Sequence, residues 1–187
     1  MPTLAGTLWP AEGGAGLMRG IVLAAIGTAL LTLSAKVQVP FWPVPMTMQT
    51  FVVLVLGAAY GPRLAGATVG FYLAQGAIGL PVFATGGGLA YMAGPTGGYL
   101  AGFLVAAVVA GLLAERGFDR RWSTALLTFL IADALLFTLG VGWLAGLIGA
   151  AEAVSVGLLP FLPAEALKIA LAMAILPLTW KAVGRGA

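Results

Sequence analysis

From Leu64 to Ala114 the chain runs for 51 residues without one charged side chain. As a single helix rising about 1.5 Å per residue, that stretch would be about 77 Å long, against a bilayer hydrocarbon core of about 30 Å. It must therefore turn back on itself, and the place is legible. Gly79-Leu80-Pro81, Gly86-Gly87-Gly88 and Gly94-Pro95-Thr96-Gly97-Gly98 interrupt the run with residues that favour turns. Two spans follow, about 64–78 and 98–114, joined by a Gly-rich loop.

The remainder of the chain is built alike. Of its 187 residues 61% are hydrophobic and 8% charged, where a soluble domain carries roughly a quarter charged residues. A soluble enzyme and a disordered chain are excluded, and a net charge of +3 is too small and scattered for nucleic-acid binding. With no Cys and no His, disulfides, thiolate chemistry and the commonest metal ligand and general base are absent too. Further apolar runs predict spans at about 17–35, 47–60, 123–144 and 161–180. The first is too long for the core of a signal peptide. Pro40, Pro43 and Pro45, with Phe41 and Trp42 between them, exclude a helix before the second span, and Gly142–Leu159 reads as a weakly polar connection. The expectation is an all-α integral membrane protein, one membrane domain over 1–187 with six transmembrane helices.

Six spans put both termini on one side. The termini and the loops on their side hold Arg19, Arg63, Arg116, Arg120, Arg121, Lys181 and Arg185, whereas the other face holds Lys36, with Lys168 just inside the sixth span. The positive-inside rule predicts cytoplasmic termini in a multi-pass protein of the cell (inner, cytoplasmic) membrane. The long loops rich in Gly, Pro and aromatics then all face outward, and loops of that kind fold over something. An outward-facing pocket is expected.

Ionisable groups within spans are costly and mark function by default. Three lie that deep: Asp133, Glu165 and Lys168. Glu165 and Lys168 stand three apart and share a helix face; a self-neutralising ion pair is the plainer alternative. Asp133 is either a ligand group or a carboxyl hydrogen-bonded within the bundle. Gly86 and Gly88 suit either loop flexibility or close approach of backbone N–H groups to a ligand. Gln49 and Gln75, near the outer ends of their spans, serve ligand or bundle. Phe41, Trp42 and Tyr91 are candidates to cover an apolar ligand, with interfacial anchoring the alternative for Phe41 and Trp42. Small residues repeat at Ala25-x-x-x-Ala29, Gly66-x-x-x-Gly70 and Gly98-x-x-x-Gly102, spacings that permit close helix approach. No phosphate-binding G-x-x-x-x-G-K-[ST] loop occurs, so the chain has no ATP site of its own and is not expected to be an enzyme.

Val44-Pro45-Met46-Thr47-Met48-Gln49-Thr50, Gly79-Leu80-Pro81-Val82-Phe83, Gly94-Pro95-Thr96-Gly97-Gly98-Tyr99 and Pro160-Phe161-Leu162-Pro163-Ala164-Glu165-Ala166-Leu167-Lys168 resemble the signature segments of the BioY family, in order and from about Arg19 to Lys181. Those proteins are biotin-binding S subunits of energy-coupling-factor (ECF) transporters. The resemblance implies a six-helix subunit that captures biotin outside the cell, with the ligand under the first and third loops. Import would be driven by a transmembrane coupling (T) subunit and two ATPase subunits. No cofactor is implied beyond the ligand biotin. Two departures stand out: Glu165 and Ala164 replace the family's usual Asp and Gly, and glycine near Gly86 replaces a polar residue of some relatives. Glu165 would accept from a ureido N–H and Lys168 donate to an oxygen, both at the ureido head; the alternative pairs Lys168 with the biotin carboxylate, which otherwise faces backbone N–H groups or Lys36. Ala25 and Ala29 match the family's docking pattern for the coupling subunit, with packing inside the bundle as the alternative. The competing functions are an S subunit for thiamine or riboflavin, a biotin transporter working partly alone as a homo-oligomer, an intramembrane enzyme using Asp133 or Glu165, and a scaffold without ligand.

Overall fold

A computed structural model describes residues 1–10 and 13–184; Arg185 lies outside the described residues. Helices dominate: α1 Leu4–Leu8, α2 Gly13–Lys36, α3 Gln49–Tyr60, α4 Pro62–Ala77, α5 Leu89–Met92, α6 Gly97–Glu115, α7 Trp122–Ile148, α8 Ala150–Gly157 and α9 Leu162–Gly184. Four of them, α2, α6, α7 and α9, are long and apolar enough to cross a membrane. The shorter α3 and α4, with 12 and 16 residues, measure about 18 and 24 Å.

α3 and α4 are separated by Gly61 alone, at φ +80°, and Pro62 opens α4. Only glycine takes that backbone conformation readily, and a Cβ there would stand 2.9 Å from Thr3 and 3.2 Å from the Glu115 carboxylate. Proline at the first helical position loses no hydrogen bond.

α6 forms the middle of the bundle, packed on α3, α4 and α7, and is the most buried of the four long helices. Its small residues explain this. Gly102 faces the α7 backbone so closely that a Cβ would stand 2.8 Å from the Leu136 carbonyl oxygen, and Gly98 meets α7 at Leu139 and Trp143. Ala106, Ala107 and Ala110 are fully buried along the same helix. Such surfaces let helices associate by close packing where lipid removes the hydrophobic incentive. Of the other small-residue repeat, Gly66 packs on Val108 of α6 while Gly70 faces open space.

Two expectations change. The 142–159 segment, expected as a loose connection, is helical: α7 continues to Ile148, Gly149 (φ +89°) breaks it, and α8 follows. The Pro-rich first loop is a short antiparallel hairpin, with β1 (Gln38–Val39) and β2 (Met46–Thr47) in the register Gln38↔Thr47 and Val39↔Met46. The prolines occupy the connection, where no ladder N–H is needed.

The helix directions gather the hairpin, the 78–96 loop, the end of α7, α8 and the start of α9 at one end of the bundle. Arg19, Arg63, Arg116, Arg120, Arg121 and Lys181 lie toward the other.

Candidate functional site

At the loop-covered end is a cavity of about 480 Å³, part of it open to solvent, walled by α3, α6, α7, α9 and the two loops. Its walls are apolar and its polar groups converge at one place. The Lys168 ammonium donates to Glu165 Oε1 at 2.6 Å and to Thr50 Oγ1 at 2.9 Å, and the Thr50 hydroxyl donates in turn to the same carboxylate oxygen at 3.1 Å. Glu165 and Lys168 are 3% and 4% exposed. Their spacing on the first two turns of α9 puts both on one face, opposite Thr50 in the first turn of α3. Glu165 Oε2 is buried and has no hydrogen-bond partner among the described residues. A buried carboxylate oxygen without a donor costs free energy, and the Asp133 carboxyl lies within side-chain hydrogen-bond reach of Glu165.

Asp133 of α7 adjoins both Glu165 and Lys168, is buried, and leaves Oδ1 without a partner. It does not line the cavity; it stands behind the pair.

The aromatic lining comes from several elements. Tyr91 stacks on Phe83 with centroids 5.2 Å apart, and Phe83 meets Tyr72 edge-on at 5.4 Å. Phe83 is seated where Gly76 leaves no Cβ, a position any larger residue would occupy. On the other side Tyr99, Phe137 and Phe161 pack together within 6.4 Å. The Tyr99 hydroxyl donates to the Gly157 carbonyl at 2.7 Å, which fixes α8 against α6. Gln49 lines the cavity while donating to the Tyr72 hydroxyl at 2.7 Å; that hydroxyl donates to the Val82 carbonyl at 3.0 Å.

The two loops are fastened to each other. The Lys36 ammonium donates to the carbonyl oxygens of Phe83 (2.6 Å) and Ala84 (3.5 Å), and Gln38 Nε2 to that of Ala84 at 3.3 Å. Trp143 Nε1 donates to the Gly94 carbonyl.

Of the residues singled out from the sequence, Glu165, Lys168, Tyr91 and Gln49 line the cavity together. Phe41, Trp42, Gln75, Gly86 and Gly88 do not. Trp42 is 78% exposed; Phe41 stays outside, edge-on to Phe161 at 6.2 Å. Gln75 is half-buried on α4. Gly86 and Gly88 shape the third loop through backbone bonds, Phe83 N–H to the Gly86 carbonyl and Gly88 N–H to the Gly76 carbonyl. Ala25 and Ala29 are exposed on the outer face of α2, whereas Gly27, Thr28 and Leu31 of that helix face the bundle. Thr47, Thr50, Phe83, Thr96, Tyr99, Phe103, Phe137 and Phe161 line the cavity without having been assigned to a site. Positions 99, 100 and 103 form one stripe on α6, continued by Thr96 at its N-cap, as do 165 and 168 on α9, continued by Phe161 just before it. In helices apolar on every side no periodicity distinguishes such a stripe from a lipid-facing one.

Fold and site together define a multi-pass helical membrane protein with an aromatic-walled pocket, floored by a buried ion pair, under two fastened loops. The chain belongs to the BioY family, whose model matches residues 6–185. It is 36% identical over 156 residues to a probable biotin transporter BioY of Pyrococcus horikoshii, covering 83% of this chain and 92% of that one. It is 38% identical over 160 residues to the biotin transporter BioY of Thermotoga maritima, covering 84% and 94%. Its fold is similar to the crystal structure of an S-component for biotin from an ECF-type ABC transporter, with a TM-score of 0.79 and 24% identity over 91% of this chain and 95% of that one.

Proposed function

We propose that this chain is the biotin-capturing S subunit of an ECF-type uptake transporter, with no resident cofactor and no catalytic activity of its own. The observation that carries the reading is the buried Lys168–Glu165–Thr50 trio with its unsatisfied carboxylate oxygen, set in an apolar, aromatic pocket. Biotin offers a ureido ring with two N–H donors and one carbonyl acceptor, a compact apolar bicycle, and a chain ending in a carboxylate. Glu165 Oε2 accepts a ureido N–H, and Lys168 donates to the ureido oxygen. Tyr91, Phe83, Tyr99 and Phe137 cover the bicycle. Asp133 orients the pair from behind rather than touching ligand. The carboxylate faces the loops. Lys36 is already held by two carbonyls, which leaves that end of the ligand to loop N–H groups and hydroxyls.

The chain works as a single membrane domain with six crossings, α3 and α4 included, and with both termini in the cytoplasm. The gathering of basic residues at one end supports that orientation. Its membrane is the inner, cytoplasmic one. With no phosphate-binding loop motif in its sequence, import is energised by two partner ATPases through a coupling subunit. Ala25 and Ala29, exposed and one turn apart on α2, suit close approach of that subunit.

The test is a thermal-shift and binding panel on the purified chain with biotin, thiamine and riboflavin. Biotin alone should raise the melting temperature, and Lys168→Ala or Glu165→Ala should remove most of the affinity while the protein still inserts. Glu165→Asp should be mild. Stabilisation by another vitamin, or wild-type biotin affinity in both alanine variants, would overturn the reading.

A further inference from the structure

The end of the bundle away from the pocket holds a second cavity, about 610 Å³ including its open mouth, lined by Arg116, Phe118, Arg120, Arg121, Thr124 and Met1. Three arginines line it and, among the described residues, no carboxylate does; the Arg120 guanidinium also donates to the Pro2 carbonyl at 3.3 Å. The neighbouring acids are engaged elsewhere. Asp119 Oδ2 accepts from Trp180 Nε1 at 2.5 Å, and the Glu115 carboxylate rests against Gly61. Among the described residues none of the three arginines has an ion-pair partner. Arg120 stacks over the Trp180 ring at 4.3 Å, and its Nε is buried with no hydrogen-bond partner among the described residues.

A second, separate feature meets this cavity. α7 begins at Trp122 with no side-chain cap, so the N–H groups of its first turn have no acceptor within the helix and carry the positive end of the helix dipole. Thr124, in that turn, lines the cavity. The site is remote from the ligand pocket: the 19 residues of α6 put about 28 Å between the two ends.

We propose that this cavity holds the phosphate of an anionic membrane phospholipid. Arginine forks grip phosphate oxygens in pairs, and an uncapped helix N-terminus adds amide donors. The lipid source is favoured over a free anion because Phe118 lines the same cavity and Trp122 stands exposed beside it, the arrangement of the boundary between headgroups and acyl chains. Basic pockets at that depth suit the anionic leaflet.

The experiment compares the wild-type chain with the Arg116→Gln/Arg121→Gln double variant, leaving Arg120 to its packing on Trp180. Each is placed in nanodiscs of phosphatidylcholine with or without phosphatidylglycerol, and helix content is checked by circular dichroism. Phosphatidylglycerol should raise the wild-type melting temperature by several degrees, and the double variant should lose that gain. Native mass spectrometry of the wild type from the mixed lipid should show phosphatidylglycerol retained over phosphatidylcholine. An equal gain in the double variant, or no preferential retention, would overturn the proposal. Reproduction of the gain by inorganic phosphate in pure phosphatidylcholine would overturn it in favour of a soluble anion. A double variant that keeps the lipid gain but no longer assembles with partner subunits would overturn it in favour of an acidic protein surface.

Discussion

Thr50 shows how one hydroxyl determines what a buried pair can do. It accepts from Lys168 and donates to Glu165, so it holds both side chains at one point and leaves Glu165 Oε2 outside both bonds. Thr50→Val keeps the volume and removes both bonds, leaving a buried ammonium donor unsatisfied. Biotin affinity should fall by about 1–3 kcal/mol, roughly five- to 150-fold, while Thr50→Ser should restore most of it; calorimetric titration in detergent measures both, and unchanged affinity in the valine variant would show that Thr50 does not position the pair. Asp119, at the other end and outside the spans, poses a different problem. Burial pushes its carboxyl above the ordinary range, and the indole N–H of Trp180 offsets only part of that. A folded-state pKa raised above the unfolded one means that the folded chain prefers the protonated acid. Stability is therefore lost as pH rises from the ordinary carboxylate range through the raised value. Asp119→Asn keeps an acceptor for the indole and removes the titration. Melting curves between about pH 4 and pH 7 should fall more steeply with rising pH for the wild type than for Asp119→Asn; parallel curves would contradict the raised pKa.

At the scale of the element, the α6–α7 seam depends on glycine. A Cβ at Gly102 would stand 2.8 Å from the backbone oxygen and 3.0 Å from the Cα of Leu136, atoms that cannot rotate away. Gly102→Leu should separate the helices and cost at least the 1–3 kcal/mol typical of overpacking, seen as a lower melting temperature and weaker biotin binding. Gly70→Leu on α4, facing open space, should change neither. The sequence made some of these elements plain and hid others for definite reasons. Charges and prolines marked the ends of α2, α3 and α6, and Glu165 and Lys168 stood out as charges in an apolar helix. Gly142, Gly146 and Gly149 read as a loop, yet only Gly149 breaks the helix, because backbone groups in an apolar surrounding must bond within their own segment and glycine alone does not release them. Trp42 and Tyr91 are both candidates from the loops in the sequence, with interfacial anchoring the alternative for Trp42. What separates them is tertiary: Phe83, anchored at Gly76, gives Tyr91 a ring to stack on, and Trp42 has no such neighbour in the cavity wall. Thr50 was hidden because its partners come from α9, 115 and 118 residues along the chain.

For the whole molecule, the asymmetry of charge between the two ends makes a prediction about direction. One end carries Arg19, Arg63, Arg116, Arg120, Arg121 and Lys181, and the loop-covered end carries Lys36, already held by loop carbonyls. On the positive-inside rule the basic end is expected on the cytoplasmic side, and the pocket proposed for biotin would then open outward. The chain has no cysteine, so single cysteines report without background. Leu89, 71% exposed on the third loop, is a suitable outer position; Gly87 is not, since a Cβ there would run into the Leu80 carbonyl. Leu89→Cys and Ala150→Cys should react with a membrane-impermeant maleimide on intact cells, and Ser123→Cys only after permeabilisation. The same assay decides whether the short α3 and α4 both cross. At about 18 and 24 Å they are shorter than the hydrocarbon core, and the bilayer must thin, or the flanking hairpin must enter it, for Arg63 to reach the inner surface. Arg63→Cys should therefore be protected from outside like Ser123→Cys. Labelling of Arg63→Cys on intact cells with Ser123→Cys still protected would make α3 and α4 a re-entrant pair and leave four crossings, and reversal of the whole pattern would turn the pocket toward the cytoplasm.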